Sequence, residues 1–359
     1  MADFKQAPLD AEAAAKAAFA SVQDQPFPND IFTAPELRWA VIGCGVIANQ
    51  MAQSLALAGR KLAGVANRTL SKAQAFAEQY GIEKVYETVD DLYADPNIDA
   101  VYITTPHNTH ITYLRAALAA GKHVLCEKAI TLNSAELDEA RAIADEQNVV
   151  LMDATTVLHM PLYQELRRRM DAGEFGRMNL AQLNFGSYKE YGDLTNRFYN
   201  RNLAGGAMLD IGVYALSVMR IFMASQPIEV VSLGNTCETG VDVAGGIVCR
   251  NAEQQLGIVS LTLHSKQPKR SIISFDKCYI EVNEYPRADH ATIVWTVDGH
   301  REEVHAGTEA YALCYEMADL EKAVAGDDSK RELLDYASDV MKLMTKLRAD
   351  WGVVYPEEE

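Results

Sequence analysis

The stretch LRWAVIGCGVIANQMAQSLAL, residues 37–57, decides the fold class of this chain. An apolar run typical of a buried strand passes through Gly43 and Gly45 directly into a helical pattern. With Ala48, the two glycines make the spacing G-x-G-x-x-A. In that pattern the first glycine permits a tight turn, the second lets the backbone approach a pyrophosphate, and the small third residue lets helix and strand pack closely. The stretch therefore predicts a dinucleotide site, with a plain glycine-rich turn as the alternative.

The chain around that stretch keeps one rhythm from residue 37 to about residue 153. Short apolar runs without polar alternation are separated by helical patterns near residues 46–58, 71–80, 88–94, 109–120 and 134–147. Buried strands separated by helices predict a parallel sheet that is covered on both faces. We therefore expect a doubly wound α/β, or Rossmann, domain over residues 37–158.

The rhythm changes after about residue 160, where strand-like segments begin to follow one another with short turns. Helical patterns remain over residues 161–172, 207–223, 308–325 and 330–348, and a loop is expected through 190–205. Successive strands with short turns predict an antiparallel or mixed sheet. We expect a second, α+β domain over residues 159–359 that has an open, largely antiparallel or mixed sheet and ends in helices.

Residues 1–36 form an extension before the first strand. An Ala-rich helix is expected over residues 9–22, followed by a linker whose prolines stop it. Two interpretations stay open for this extension. It is either a surface helix or tail, or an arm that wraps a partner subunit.

Composition narrows the possible partners. The chain has 33 basic and 50 acidic residues, a net charge of -17, and no Lys/Arg run, which argues against nucleic acid and anionic membrane as partners. Its six cysteines lack CxxC spacing, which argues against a zinc site and against a disulfide framework. Free cysteines are typical of a reducing cytoplasm. The N-terminus lacks the basic residues of a signal peptide, and we expect no membrane span. We therefore expect a cytoplasmic protein that acts on a small molecule.

The end of the second strand bears on which nucleotide binds. An acid that holds the adenosine ribose hydroxyls is usual there, but this chain has Asn67 followed by Arg68. A guanidinium can hold a 2′-phosphate in bidentate fashion, so the pattern favours NADP(H) over NAD(H). Alternatively, Arg68 stacks on adenine or lies in solvent, which leaves NAD(H) open. The pyrophosphate itself would meet the free N–H groups at the helix start, at Val46 and Ile47.

The segment ITTPHNTH, residues 103–110, ends the fourth strand. Loops at the carboxyl ends of parallel strands face the cofactor crevice, so Thr105 and Pro106 should border the nicotinamide. His107 and His110 suggest metal ligands, but no third ligand is paired with them in the sequence. We expect loop and capping roles for the histidines at this edge of the cofactor site, and no metal.

The segment VLCEKAIT, residues 124–131, ends the fifth strand with Glu127 and Lys128. A charged pair at a strand end is often a solvated edge. At the carboxyl end of a nucleotide-binding sheet, however, both residues should border the cofactor, and Lys128 should point into the catalytic crevice.

The helix in GGAMLDIGVYALSVMRIFM, residues 205–223, is apolar nearly all round and should be buried. Asp210 and Tyr214 are four residues apart, a spacing that places both on one helix face. A buried carboxylate needs a cation or several donors, and Lys128 is the candidate cation. The alternative is an aspartate that caps the helix start and a tyrosine that only packs.

Taken in order, G-x-G-x-x-A, TPHNTH, EKA and GGAMLDIGVY resemble the Gfo/Idh/MocA oxidoreductases over about residues 37–350. The resemblance implies a Rossmann domain followed by an open-sheet domain whose exposed face commonly forms dimer contacts. We therefore expect a homodimer or homotetramer that assembles through the C-terminal sheet.

The family motifs correspond to residues of this chain one by one. The lysine of E-K-P corresponds to Lys128, and Ala129 stands where proline is usual. The D-x-G-x-H/Y motif corresponds to Asp210, Gly212 and Tyr214. Tyrosine at the last position is similar to glucose-fructose oxidoreductase and the dimeric dihydrodiol dehydrogenases.

The resemblance implies an NAD(P)-dependent oxidoreductase that acts on a sugar, polyol, dihydrodiol or related carbonyl compound. Tyr214 would be the acid/base, the charge of Lys128 would favour its phenolate, and Asp210 would orient Lys128. In the segment RFYNRNLAGG, Arg197 or Asn200 is expected to contact substrate. A nucleotide-binding sensor without turnover and an NAD-dependent glycoside hydrolase stay open as alternatives.

Overall fold

The structure, a computed structural model, describes residues 11–23 and 25–359. The strands of the N-terminal domain are β1 (Trp39–Ile42), β2 (Gly64–Ala66), β3 (Lys84–Tyr86), β4 (Ala100–Ile103), β5 (His123–Cys126) and β6 (Leu151–Asp153). The helices up to β6 are α1 (Ala11–Val22), α2 (Val46–Leu57), α3 (Leu70–Tyr80), α4 (Val89–Ala94), α5 (His110–Ala119) and α6 (Ser134–Gln147). The helix expected over residues 9–22 would begin with residues 9 and 10, which lie outside the described residues.

The six strands form one parallel sheet in the order β3-β2-β1-β4-β5-β6. Every residue of β1 and β4 is buried, because helices cover both faces of the sheet. The strand order reverses between β1 and β4, and a crevice opens at such a switch point outside the carboxyl ends of the strands. The expected doubly wound α/β domain is confirmed.

The second domain contains eight strands and the remaining helices. The strands are β7 (Met178–Gly186), β8 (Glu229–Thr236), β9 (Asp242–Arg250), β10 (Leu256–Thr262), β11 (Gln267–Phe275), β12 (Cys278–Asn283), β13 (His290–Trp295) and β14 (Arg301–His305). The helices are α7 (Pro161–Asp171), α8 (Val213–Phe222), α9 (Ala312–Val324), α10 (Asp328–Arg331) and α11 (Leu333–Asp350). The sheet order is β14-β13-β12-β11-β7-β10-β9-β8; only β7 and β10 are parallel neighbours. The expected open, largely antiparallel sheet is confirmed.

Two of these strands were not predicted from the sequence. In β7, MNLAQLNFG, polar residues interrupt the apolar ones, because only one face of this central strand meets the core. In β14, REEVH, charged residues dominate because the strand forms the edge of the sheet. The end of β7 matters for function, since it leads into the crevice.

The apolar helix predicted over 207–223 is two elements. Met208–Gly212 is π-helical, and α8 follows without a break. The stretch Arg201–Phe222 is long and apolar enough to cross a membrane by length and composition, although we expected no membrane span from the sequence. However, 83% of its apolar 18-residue segment is buried inside the protein, as in a core helix.

Sequence order and spatial order differ at the boundary between the domains. Helix α9 belongs to the C-terminal half of the chain, yet its Leu313, Met317 and Leu320 are buried among residues of the N-terminal sheet and α2. The described part of the N-terminal extension also packs on this side of the same chain. The Phe27 ring lies edge-on to Tyr311, with centroids 5.0 Å apart. In the single chain, therefore, the segment covers its own domain.

Candidate active site

The turn after β1, residues 43–48, is called the nucleotide turn here. Gly43 has φ +104°, and a Cβ at this position would lie 2.6 Å from Thr104 Oγ1 and 3.0 Å from Thr104 O, so only glycine fits. A Cβ on Gly45 would meet no atom within 4 Å, which leaves open space above the turn. Ala48 is fully buried, so the small third residue packs helix on strand.

The N-terminus of α2 has no side-chain cap and no acidic residue in its first turn. The first intrahelical acceptor, Gly45 O, receives Asn49 N at 3.1 Å, so the N–H groups of residues 46–48 have no partner within the helix. Val46, at the start of the helix, is 56% exposed. Free N–H groups beside open space fit the pyrophosphate of a dinucleotide.

Asn67 and Arg68, at the end of β2, are both predicted to contact the nucleotide, but the structure gives them different surroundings. The amide of Asn67 donates to Thr69 O at 3.0 Å and so holds its own turn. Arg68 is exposed, and within the described part of the chain its guanidinium has no carboxylate partner. Arg68 is therefore free to meet an anion at this edge of the sheet.

The two histidines after β4 contact backbone carbonyls. His107 Nε2 donates to Lys128 O at 3.0 Å, and His110 lies with Nε2 2.8 Å from Thr105 O and Nδ1 3.0 Å from Ala129 O. Burial, aided by the Lys128 charge, lowers the pKa of His107 to about 3, so its ring is neutral. In the described residues no group of three possible ligands meets.

The remaining residues of these two loops line the same edge of the sheet. Pro106 is exposed, and the Thr105 hydroxyl accepts a hydrogen bond from Thr109 Oγ1 at 2.9 Å. Glu127 accepts hydrogen bonds from the Tyr102 hydroxyl and, at 3.3 Å, from the backbone N–H of Lys128. The histidine contacts with the Lys128 and Ala129 carbonyls bind the loop after β5 to the loop after β4, which fixes where the Lys128 side chain starts.

Lys128, Asp210 and Tyr214 meet in the crevice, and we call them the crevice cluster. Lys128 Nζ donates to Asp210 O at 2.7 Å and to Asp210 Oδ1 at 3.3 Å. It also lies 4.8 Å from the centroid of the Tyr214 ring. Burial lowers the pKa of Lys128, but Tyr214 and Asp210 outweigh it and the net direction is upward, so the ammonium stays charged.

Asp210 lies in the π-helical turn, a geometry frequent at functional sites. Met208 N at the start of this turn donates to Asp242 Oδ2 at 2.6 Å, which anchors the turn to β9. Burial opposes ionisation of Asp210, but the charges of Lys128 and Arg197 hold its pKa below the ordinary value. A carboxylate with two cations is the partnered state that the sequence required.

Tyr214 is partly exposed in the crevice. Burial raises its pKa above the ordinary value, and the Lys128 charge lowers it by less. The charge acts in the expected direction, but burial is the larger effect. The phenol therefore keeps its proton at neutral pH, and the expectation that Lys128 would favour the phenolate needs this correction for the free protein.

Of the two residues predicted to contact substrate, one lies at the crevice cluster and the other does not. Arg197 Nη2 lies 3.8 Å from Asp210 Oδ1, so the structure brings Arg197 to the crevice cluster. Asn200 is not brought there: its side-chain oxygen accepts from Asn202 N at 2.9 Å, and its amide donates to Thr195 O at 3.3 Å. Both polar groups of Asn200 are used within its own loop.

One crevice residue had no sequence signal strong enough to single it out. Lys189 follows β7, the unpredicted strand, and its Nζ lies 4.2 Å from the Phe198 ring centroid. A lysine just past a strand end is ordinary unless the strand itself is recognised. Once β7 is in place, Lys189 lies at the same sheet end as the crevice.

Family comparison covers both domains. Residues 37–155 match the family described as oxidoreductase family, NAD-binding Rossmann fold, and residues 163–281 match the GFO/IDH/MocA C-terminal domain. The trans-1,2-dihydrobenzene-1,2-diol dehydrogenase of Mus musculus is 32% identical over 74% of this chain and 79% of its own length. The enzyme of the same name from Xenopus laevis is 28% identical over 89% of this chain and 99% of its own.

Solved structures share the fold. The 3-ketoreductase KijD10 from Actinomadura kijaniata, in complex with NADP and TDP-benzene, is 24% identical with a TM-score of 0.75, covering 88% of this chain and 98% of its own. A levoglucosan dehydrogenase in complex with NADH and levoglucosan is 20% identical with a TM-score of 0.76, covering 87% and 97%.

Proposed function

The chain belongs to the Gfo/Idh/MocA family of NAD(P)-binding oxidoreductases, and from that premise we propose a reaction: hydride transfer between a nicotinamide and a carbon that bears a hydroxyl or carbonyl oxygen. The observation that carries the proposal is the crevice cluster, in which Lys128 Nζ lies 3.3 Å from Asp210 Oδ1 and 4.8 Å from the Tyr214 ring centroid. The proposed substrates are sugars, polyols, dihydrodiols and related carbonyl compounds. Relatives named as dihydrodiol dehydrogenases and sugar-linked neighbours support that range.

Tyr214 is the proposed acid/base. Its raised pKa keeps the phenol protonated at neutral pH, which suits delivery of a proton to a carbonyl oxygen during reduction. In the oxidative direction the phenolate of the same residue takes the proton from the substrate hydroxyl, and the nearby Lys128 charge makes that phenolate less costly to form. A bound nicotinamide supplies or accepts the hydride.

Lys128 is proposed to act where negative charge develops on the reacting oxygen. An ammonium held at a fixed point stabilises that charge more in the transition state than in the ground state. Asp210 positions Lys128 through both its backbone oxygen and its carboxylate, at 2.7 and 3.3 Å. Removing the carboxylate would leave one of the two contacts.

We propose that the nucleotide turn binds the pyrophosphate and that the exposed Arg68 favours NADP(H) over NAD(H). Residues 46–48 offer free N–H groups beside the open space over Gly45, which supports the first part. The exposed Arg68 guanidinium at the end of β2, which has no carboxylate partner among the described residues, supports the second part.

The exposed face of the second sheet supports the proposal of a homo-oligomer. Val231, Val248 and Ile258 pair across β8, β9 and β10 and form an exposed apolar row. Leu233, on the same face, is 84% exposed. Burying such a patch against a second copy removes it from water.

Leu233→Lys should then shift the sedimentation coefficient toward that of a single chain, and an unchanged value would contradict this assembly.

The function is tested by incubating the protein with each nicotinamide nucleotide and a panel of sugars, polyols, dihydrodiols and ketones. We expect reduced nicotinamide to form or disappear in a one-to-one ratio with the organic product. Sugar release without net change in reduced nicotinamide would instead indicate the hydrolase alternative. A panel in which neither nucleotide changes would contradict the proposed substrate range.

A further inference from the structure

Two cations of the crevice share one carboxylate, and among the described residues a third cation beside them has no carboxylate within ion-pair distance. Asp210 Oδ1 lies 3.3 Å from Lys128 Nζ and 3.8 Å from Arg197 Nη2, so one carboxylate contacts two cations. A third cation stands beside them: Lys189 Nζ and the Arg197 guanidinium carbon lie 4.2 and 4.1 Å from the centroid of the same Phe198 ring.

Among the described residues, Lys189 lacks the carboxylate partner that comparable cations of this chain have. Half-buried Arg60 pairs with Glu321 at 2.6 Å, and Arg220 pairs with Asp339 at 2.8 Å. Across the described residues no carboxylate lies within ion-pair distance of Lys189. The chain as a whole carries a net charge of -17, so this local excess of cations runs against its composition.

The Phe198 ring does not cancel this excess. An aromatic face attracts a cation through its quadrupole but carries no net charge, so two cations on one ring still repel each other. Burial and the neighbouring Arg197 and Lys128 lower the pKa of Lys189, while Asp210 acts the other way. Lys269 also acts on Lys189, but Lys269 itself is paired with Glu284 at 2.7 Å.

We propose that the substrate of this oxidoreductase carries an anionic group, a phosphoryl or a carboxylate, that binds between Lys189 and Arg197. The inference rests on the proposed function, because it names the substrate class of the same crevice. Because Arg197 lies 3.8 Å from Asp210 Oδ1, an anionic group bound at Arg197 would lie close to Lys128, where the proposed reaction takes place. Two charge-assisted contacts would relieve the repulsion that the free crevice contains.

The test compares D-glucose, D-glucose 6-phosphate and D-glucuronate on the wild type and on Lys189→Gln. Loss of one hydrogen bond to a charged group should raise KM for the anionic substrates roughly tenfold to a hundredfold and leave kcat little changed. For the neutral sugar, Lys189→Gln should leave both KM and kcat unchanged. Lys346→Gln is the matched control, since Lys346 is exposed on α11 and pairs with Asp350. The phosphate and carboxylate arms decide which anion fits.

Calorimetric binding of the two anionic sugars gives a readout independent of turnover. Saturating NADP⁺ is present so that the nucleotide turn cannot take the phosphate. Anion binding that is lost in Lys189→Gln supports the inference even if none of these three sugars reacts, because the proposed function is decided separately by the wider panel. Equal kcat/KM for neutral and anionic sugars, or anion binding unchanged in Lys189→Gln, overturns the inference and leaves the proposed function standing.

Discussion

The nucleotide turn takes all of its binding groups from six consecutive residues, 43–48, whereas the crevice takes its groups from the end of β5, the end of β7, the loop at Arg197 and the helix at Asp210. The turn works through its backbone: position 43 admits only glycine, and the N–H groups at the start of α2 are free. The crevice works through side-chain charge held by packing between two domains. A local device tolerates change elsewhere in the chain, while an assembled one depends on every segment that supplies it.

The comparison predicts that the largest loss comes from one atom of the crevice. Tyr214→Phe keeps the ring beside Lys128 but removes the hydroxyl, so kcat should fall by about 10² to 10⁴-fold, the range of a positioned acid/base. The dissociation constant for the nucleotide, measured by fluorescence of the reduced form, should not change. Tyr336→Phe is the control, because that hydroxyl accepts a hydrogen bond from Arg167 away from the crevice. Full activity of Tyr214→Phe on a verified substrate would remove tyrosine from the mechanism.

The two glycines of the turn should separate fold from binding. Gly43→Ala forces a Cβ to 2.6 Å from Thr104 Oγ1 at φ +104° and should cost about 1–3 kcal/mol of unfolding free energy, measured by urea denaturation. Gly45→Ala meets no atom, so stability should hold while nucleotide affinity falls roughly tenfold, the loss of about one hydrogen bond to a charged group. If Gly45→Ala binds nucleotide normally, the backbone of the turn does not approach the pyrophosphate.

The same contrast explains which features the sequence could predict. The parallel sheet and the turn follow from apolar runs and glycine spacing, which are local signals. The meeting of Lys128 with Asp210 could also be predicted across 82 residues, because a carboxylate on an apolar helix requires a cation wherever the chain supplies one.

Other features depend on packing that no local pattern records. Strand β7 alternates polar and apolar residues too irregularly to be recognised, and Lys189 was missed with it. The pKa of Tyr214 has the opposite direction from the expected one, because the extent of burial is set by the neighbouring elements and not by the spacing of Asp210 and Tyr214. Asn200 was placed in the site by its neighbourhood in sequence, yet its amide closes its own loop.

Arg68 offers a smaller test, on the side of the turn. If its guanidinium holds a 2′-phosphate, Arg68→Ala should weaken NADPH binding roughly tenfold, because one charge-assisted contact is lost at an exposed position. NADH binding should stay the same, since that nucleotide has no 2′-phosphate. Measuring both dissociation constants on both proteins isolates the ratio. Parallel loss for the two nucleotides would show instead that Arg68 contacts the adenosine they share.

The smallest expected effect is a shift along the pH axis, and it reports how closely the crevice groups depend on one another. Asp210 raises the pKa of both Tyr214 and Lys128, so Asp210→Asn should lower both. Reduction requires the phenol and the ammonium to be protonated, and it is therefore retained at neutral pH and lost as alkaline pH removes those protons. The alkaline limb of the kcat profile should move to lower pH in Asp210→Asn, whereas Arg68→Ala should leave it in place because Arg68 belongs to the nucleotide side. A limb that stays fixed in Asp210→Asn would mean that the group titrating there lies outside the crevice cluster.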